Sequence, residues 1–257
     1  MRHTLHLPTV HLGQTVLVYA ELPSTNEAAH EADHATGTAI VADVQTAGRG
    51  QYGRTWQAAA GSSLLLSVVL DPPAEFRRPV LLTAWATVSV AEAILELTGQ
   101  QAKIKWPNDL LLKGEKCCGV LIEQRQRVVI GLGLNLNQQP ADWAAANLPR
   151  AVSLSQHTGA PLQRDAVLAV VLKHLDQEWG WLLAGESTRL EADWKWRIGL
   201  LGRDVEAVLT DNSTRTGRLR EMGFAGIELE VTGGGFDVIA PATIRQLREL
   251  GRADNRG

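Results

Sequence analysis

Two spacings of apolar residues run through this chain, and where they change marks the predicted elements. The stretch AIVADVQTA sets Ile40, Val41 and Val44 in a β-prone segment, and LLLSVVL from Leu64 to Leu70 predicts a second strand. Between them lie GRGQYGRTW and the small-residue turn AAAGSS, so that loop joins strand to strand. Leu81, Leu82, Trp85, Val88, Ile94 and Leu95 recur close to the helical period and predict a helix over about 77–97, ended near Gly99. Residues 103–135 then predict four short strands, about 103–106, 110–112, 117–123 and 127–135, separated by PND, KGE and QRQ. Spacing this tight leaves no room for crossover helices, so this part of the sheet is expected to be antiparallel. Leu168, Val171, Leu172, Leu175, Trp179 and Leu182 predict a helix over about 164–183, and another over about 188–197 carries Trp194 and Trp196. Beyond Gly202 the period becomes two: VEAVLT, TGRLREM, GIELEV and FDVIA predict a small all-β binding or closing module.

An earlier helix is expected to begin near Thr25 or Asn26, where Ser24 and Glu27 spell a capping box. The fold class that follows is α/β (α+β): a mixed, largely antiparallel sheet flanked by helices, with a small C-terminal barrel. Expected boundaries are a catalytic domain over 1–199, the β module over 200–250 and a loose tail over 251–257.

Composition changes this picture only by exclusion. The 257 residues are 45% hydrophobic and 21% charged, as in a soluble globular protein with room for one large domain and a small one. A formal net charge of −3 argues against nucleic acid as a main partner. The apolar run Val80–Ala91 is shorter than the roughly 18 residues of a membrane span, and MRHTLHLPTV lacks a signal-peptide core. The expectation is a cytoplasmic protein with no membrane partner. Cys117 and Cys118 are adjacent, which suits neither a disulfide framework nor a metal pair, and they read as small buried hydrophobes in a reducing compartment.

Each candidate for chemistry has an ordinary reading beside a functional one. Gly48, Gly50 and Gly53 match the G-x-G-x-x-G spacing, yet a dinucleotide site needs a helix opening directly on the glycines, and a strand follows instead. The loop is either a cationic flap, with Arg49 and Arg54 as guanidinium forks, or a glycine-rich hairpin with two solvated arginines. Ser24, Thr25 and Asn26 are good cap residues, and they could equally meet a polar ligand. His30 and His34 fall four apart with no third ligand and read as surface histidines. Of eight tryptophans, Trp56 and Trp106 sit beside polar turns and are candidate ligand platforms. Asn108 and Asp109 suit a turn, Lys116 a turn charge and Gly119 a bulge, but together with the flap they point to one polar site.

KWPNDLLLKGEKCCGVLIE, together with QTAGRGQYGRTW, STN before the first helix, and GLGLNLN, resembles the biotin protein ligases, or holocarboxylase synthetases. The motifs stand in that family's order from residue 24 to about 137, and the terminal β module is similar to the family's SH3-like domain. The resemblance implies a two-step reaction. Biotin and ATP, with Mg2+, give biotinyl-5′-AMP, and a lysine of a biotin carboxyl carrier protein domain then displaces AMP. It implies that Lys116 and Arg49 hold the converging anions, with Asp109 placed for the acceptor amine or kept as a structural turn carboxylate. Ser24, Thr25, Asn26, Gln45, Gly48, Gly119 and Leu121 would line the biotin pocket. Arg54, Trp56, Asn108, Gly133 and Asn135 would face the nucleotide, Trp56 stacking on adenine. No metal ligands are assigned. Gln51 and Tyr52 stand where some members carry arginines, so this flap is less basic. Only 23 residues precede Ser24, from which a ligase without the repressor's DNA-binding domain is expected. A homodimer through sheet edges stays open, as do two rivals: a lipoate ligase of the same fold and a non-enzymatic biotin-sensing module.

Overall fold

An eight-stranded sheet carries the site, and its centre is apolar on both faces. The computed structural model describes residues 3–31 and 33–251. Its large sheet runs in the order β1-β2-β3-β4-β8-β7-β6-β5. The strands are β1 (His3–Leu5), β2 (Val16–Leu22), β3 (Ala39–Gln45), β4 (Ser63–Leu70), β5 (Lys103–Lys105), β6 (Asp109–Leu112), β7 (Glu115–Gln124) and β8 (Val128–Asn135). β2 and β3 pair in parallel, because α1 (Thr25–Glu31) carries the chain between them; the other neighbours pair antiparallel. The mixed, largely antiparallel sheet expected from the sequence is therefore present, and β1 and β2 extend it beyond what the pattern predicted.

β4 and β8 are buried along their whole length, as a covered central pair must be. One face packs on α2 (Pro79–Thr98), which in turn packs on α5 (Arg164–Leu183), where Trp85 and Trp179 meet edge to face at 5.1 Å. On a smaller cluster, Ala29 of α1 packs with Ile40, Val69 and Val129. α2 starts with a proline at its first turn and ends at Gly99, whose φ of 68° is the left-handed cap expected there. By length and composition α2 could cross a membrane, with mean hydropathy 1.6, but 67% of that window is buried inside the molecule, as in the core helix of a soluble fold. Short helices α3 (Pro140–Ala145) and α4 (Ser155–Thr158) fill a segment with no predicted element, and α6 (Ser187–Ile198) matches the third predicted helix.

The C-terminal sheet is antiparallel in the order β12-β11-β10-β9-β13, from β9 (Asp204–Leu209), β10 (Thr214–Met222), β11 (Ile227–Glu230), β12 (Phe236–Ile239) and β13 (Ile244–Glu249). The strand β13 was absent from the sequence pattern. This sheet is where Trp106 belongs. Its indole N–H donates to the Ile244 carbonyl at 2.9 Å and its ring lies 5.7 Å from that of Trp194. Trp106 is thus an interior strut between the two sheets, and the expectation of a ligand platform is corrected. The capping-box expectation also changes, since the Glu27 carboxylate takes Arg49 and Arg125. Both cysteines are buried, and burial pushes the Cys117 thiol up to about 12. The loose tail predicted over 251–257 lies, apart from Gly251, outside the described residues.

Candidate active site

The polar triplet at the start of α1 is held by buried side chains rather than by a helix cap alone. Gln45, at the end of β3, accepts from the Thr25 backbone N–H at 2.7 Å and from Thr25 Oγ1 at 3.0 Å. The Oγ of Ser67, fully buried in β4, lies 2.7 Å from Thr25 Oγ1 and 2.6 Å from Asn26 Oδ1. Asn26 Nδ2 donates to Glu123 Oε2 at 2.6 Å. Gly131 makes room for this: a Cβ there would stand 2.1 Å from Asn26 Oδ1. Buried hydroxyls and amides linked in this way are rigid, since each would cost free energy if left unpaired. The Thr25 N–H is thus already used by Gln45.

Beside this cluster, the flap and β7 border an open cavity of about 610 Å³, lined by Gly48, Arg49, Arg54, Leu121 and Glu123 among others. The flap is a tight hairpin. Gly50 N–H donates to the Arg54 carbonyl at 2.7 Å and Trp56 N–H to that of Gly48 at 2.9 Å, with Tyr52 (φ 57°) and Gly53 (φ 75°) left-handed at the tip. Gly48 cannot carry a side chain, because its Cβ would stand 2.4 Å from the Trp56 carbonyl. Arg49 Nη2 reaches Glu27 Oε2 at 2.5 Å and Glu123 Oε2 at 3.1 Å. Arg125 and Arg49 hold the Glu27 carboxyl below its usual range, the Arg125 hydrogen bond contributing most.

On the other side of Trp56, Lys116 Nζ pairs with Asp109 Oδ1 at 2.6 Å and lies 5.6 Å from the Trp56 ring centroid. The ring rests on two glycines that are partners across the ladder, Gly119 of β7 and Gly133 of β8. Added Cβ atoms would come within 3.2 Å and 2.3 Å of it respectively. The Trp56 indole N–H is buried without a partner. Lys116, Trp56, Gly119 and Gly133 are thus brought together, while on the flap Arg49 is tied to Glu27 and Glu123 and Arg54 is exposed.

Asn108 and Asn135 fall behind that region. Asn135 Nδ2 donates to the carbonyls of Lys116 at 3.3 Å and Val152 at 3.1 Å, and Asn108 Nδ2 donates to the Val120 carbonyl. Both were expected toward the nucleotide; their amides instead hold the backbone of β7 that carries Lys116. Among the described residues no group of three or more histidines, cysteines, aspartates or glutamates could hold a metal ion. Mg2+ is usually bound by one or two carboxylates together with substrate phosphates and needs no such cluster, so it would enter with ATP.

Residues 19–135 match the Biotin/lipoate A/B protein ligase family. Over 247 residues the chain is 33% identical to the bifunctional ligase/repressor BirA of Bacillus subtilis, covering 93% of this chain and 76% of that protein. The chain belongs to the biotin protein ligases. It is also 31% identical to the biotin–[acetyl-CoA-carboxylase] ligase of Mycobacterium tuberculosis, covering 90% of this chain and 88% of that one. The structure superposes on the Aquifex aeolicus biotin protein ligase in complex with biotin and ATP with a TM-score of 0.79 at 30% identity, over 91% of this chain and 98% of that chain. In this ligase, sequence reasoning missed Ser67, Gly131, Glu27, Glu123 and Arg125. Ser67 was hidden in an apolar run, Glu27 read as a capping-box residue, and Glu123 and Arg125 carry no local mark that separates them from solvated surface.

Proposed function

We propose that this ligase activates biotin with ATP as biotinyl-5′-AMP and passes the biotinyl group to a lysine of a biotin carboxyl carrier domain. The reading is supported by Lys116, whose Nζ lies 5.6 Å from the Trp56 ring, and by Arg49, which pairs with Thr55 across the flap and contacts Glu123, itself bonded to Asn26 of the polar cluster.

Biotin's carboxylate is ionised at neutral pH, so the first step needs little base catalysis. It needs positive charge where two anions converge. The carboxylate oxygen attacks the α-phosphorus and pyrophosphate leaves with its electron pair, while the Lys116 ammonium and the Arg49 guanidinium offset the charge that builds up. Mg2+, entering with ATP, neutralises part of the phosphate charge. Arg54 borders the same cavity and faces the phosphates, and Trp56 has an aromatic face for adenine once it lifts from its two glycines. In the second step the lysine amine attacks the biotinyl carbonyl, AMP leaves, and Asp109 orients the amine or takes its proton. Substrate anions would release Asp109 from Lys116 for that role.

The cluster around Thr25 and Asn26 also favours biotin over lipoate. A ureido ring offers two N–H donors and one carbonyl that can exchange hydrogen bonds with these hydroxyls and amides, whereas a dithiolane has none to offer. The test is biotin-dependent exchange of labelled pyrophosphate into ATP, followed by the mass of a carrier domain after incubation with biotin, ATP and magnesium. Exchange driven by lipoate and not by biotin would overturn the assignment, and tight biotin binding without exchange would leave a sensing module.

A further inference from the structure

The charged neighbours of Arg49 form a closed set. Arg49 Nη2 makes one contact with Glu27 Oε2 at 2.5 Å and one with Glu123 Oε2 at 3.1 Å. Arg125 donates to Glu27 three times, from Nη1 and Nη2 to Oε1 at 3.1 Å each and from Nη2 to Oε2 at 2.8 Å, and its Nη2 lies 3.8 Å from Glu123 Oε1. Glu27 and Glu123 offset much of the Arg49 charge, so the flap cation meets an arriving anion partly neutralised. Arg49 is tied by single bonds, while Arg125 is the multiply bonded partner of Glu27, the stronger arrangement for a guanidinium and a carboxylate. The pKa directions agree with this ranking. The Arg125 hydrogen bond is the largest cause of the lowered Glu27 carboxyl, and Glu27 is the largest cause of the raised Arg125 guanidinium.

For Arg49 to hold substrate it must leave both carboxylates. Left alone, Glu27 and Glu123 would repel each other and pull Arg49 back. Arg125 already contacts both and stays behind when Arg49 goes. Resting on the ligase reading above, we infer that Glu27 and Arg125 are positioning residues that act through Arg49: Glu27 latches the flap in the ligand-free enzyme, and Arg125 is the substitute cation that lets Arg49 go.

This arrangement demands opposite effects from two neighbours. Glu27→Gln removes the latch, so biotin binds more tightly. Arg125→Gln leaves Arg49 as the main partner of two carboxylates, so biotin binds more weakly. Each change is about two- to fivefold, the scale of a partly exposed ion pair. Biotin Kd is measured by calorimetry on the full chain, for each variant alone and again in an Arg49→Ala background, where both effects must vanish. Trypsin cleavage within the flap of the ligand-free protein needs no substrate and reads the latch directly: faster in Glu27→Gln, slower in Arg125→Gln. Shifts in the same direction, no shift, or shifts that persist without Arg49 overturn the proposal. Failure of the unsubstituted protein to bind biotin would instead sink the ligase reading, with the proteolysis still testing the latch.

Discussion

Lys116 Nζ and Asp109 Oδ1 lie 2.6 Å apart across neighbouring strands, and a β-bulge brings them together. The register of β6 on β7 shifts between Leu110 and Leu111, which pair with Cys118 and Lys116, leaving Cys117 as the extra residue. A bulge re-aims the side chains around it, and here it turns Lys116 toward Trp56 and Asp109. The backbone beneath is clamped, with Lys116 N–H donating to the Arg150 carbonyl at 2.7 Å and Val152 N–H to that of Lys116 at 2.9 Å.

From this placement, Lys116→Ala should lower biotin-dependent pyrophosphate exchange by at least ~10²-fold, the usual scale for losing a preorganised charge at a reacting anion. Lys116→Arg should restore little, because a planar fork does not occupy the space of a compact ammonium. Exchange at the normal rate in Lys116→Ala, with ATP and biotin saturating, would remove this residue from the chemistry.

The two glycines of β8 should separate the two halves of the site. A Cβ at Gly131 meets Asn26 at 2.1 Å, and one at Gly133 meets the Trp56 ring at 2.3 Å. Gly131→Ala is therefore expected to weaken biotin binding while ATP binding stays near normal, and Gly133→Ala to disturb the ring and raise the KM for ATP. Overpacking of this kind costs about 1–3 kcal/mol, enough for a ten- to hundredfold change in one ligand. Calorimetry with each ligand distinguishes them; equal losses of both ligands in both variants would mean general damage to β8.

Much of this architecture follows from local pattern. The predicted helix 164–183 coincides with α5, and the four predicted strands after residue 103 are β5 to β8. What escaped depends on distant packing. Ser67 reads as one polar residue in LLLSVVL, and becomes a bridge to Thr25 and Asn26 because the parallel β2–β3 connection lays α1 across β4. The set of Glu27 with Glu123 and Arg125 joins two stretches nearly a hundred residues apart, α1 and the end of β7, and neither stretch signals the other. Trp106 looked like a platform because Pro107 and Asn108 follow it, yet the C-terminal sheet takes its indole. β13 went unpredicted because its register partner, β9, lies far upstream.

Because Trp106 is buried and spends its indole N–H on Ile244 between the two sheets, its substitution should cost stability and spare chemistry. Trp106→Phe loses the hydrogen bond to Ile244 and part of the contact with Trp194, and leaves a buried carbonyl without that donor. A loss of about 1–3 kcal/mol is expected, read as a lowered denaturant midpoint, with exchange kinetics unchanged below the transition. A KM for ATP raised tenfold in a still-folded Trp106→Phe would return this ring to the active site.

The pH dependence of stability should fall in two steps on the acid side. His30 and His157 each have a buried Nε2 with no hydrogen-bond partner, and burial is the main cause that pushes both rings below their usual 6.5. A group whose folded pKa is depressed binds protons more readily in the unfolded chain, so its contribution is complete above the unfolded value and is lost as pH falls through 6.5 toward the folded one. The second step belongs to carboxylates held below their usual 4.5 by neighbouring cations: Glu27 through Arg125 and Arg49, Glu96 through Lys173 and His174, and Glu221 through Lys195. Their contribution persists above 4.5 and is lost as pH falls below it. Thermal midpoints measured between about pH 8 and 3 should therefore decline first near the histidine range and again near the carboxylate range. Replacing both rings, in His30→Gln with His157→Gln, should flatten the first decline and leave the second. A first decline that survives this double substitution would assign it to other groups, and one that vanishes in Glu27→Gln would place its origin in the ion-pair set beside His30.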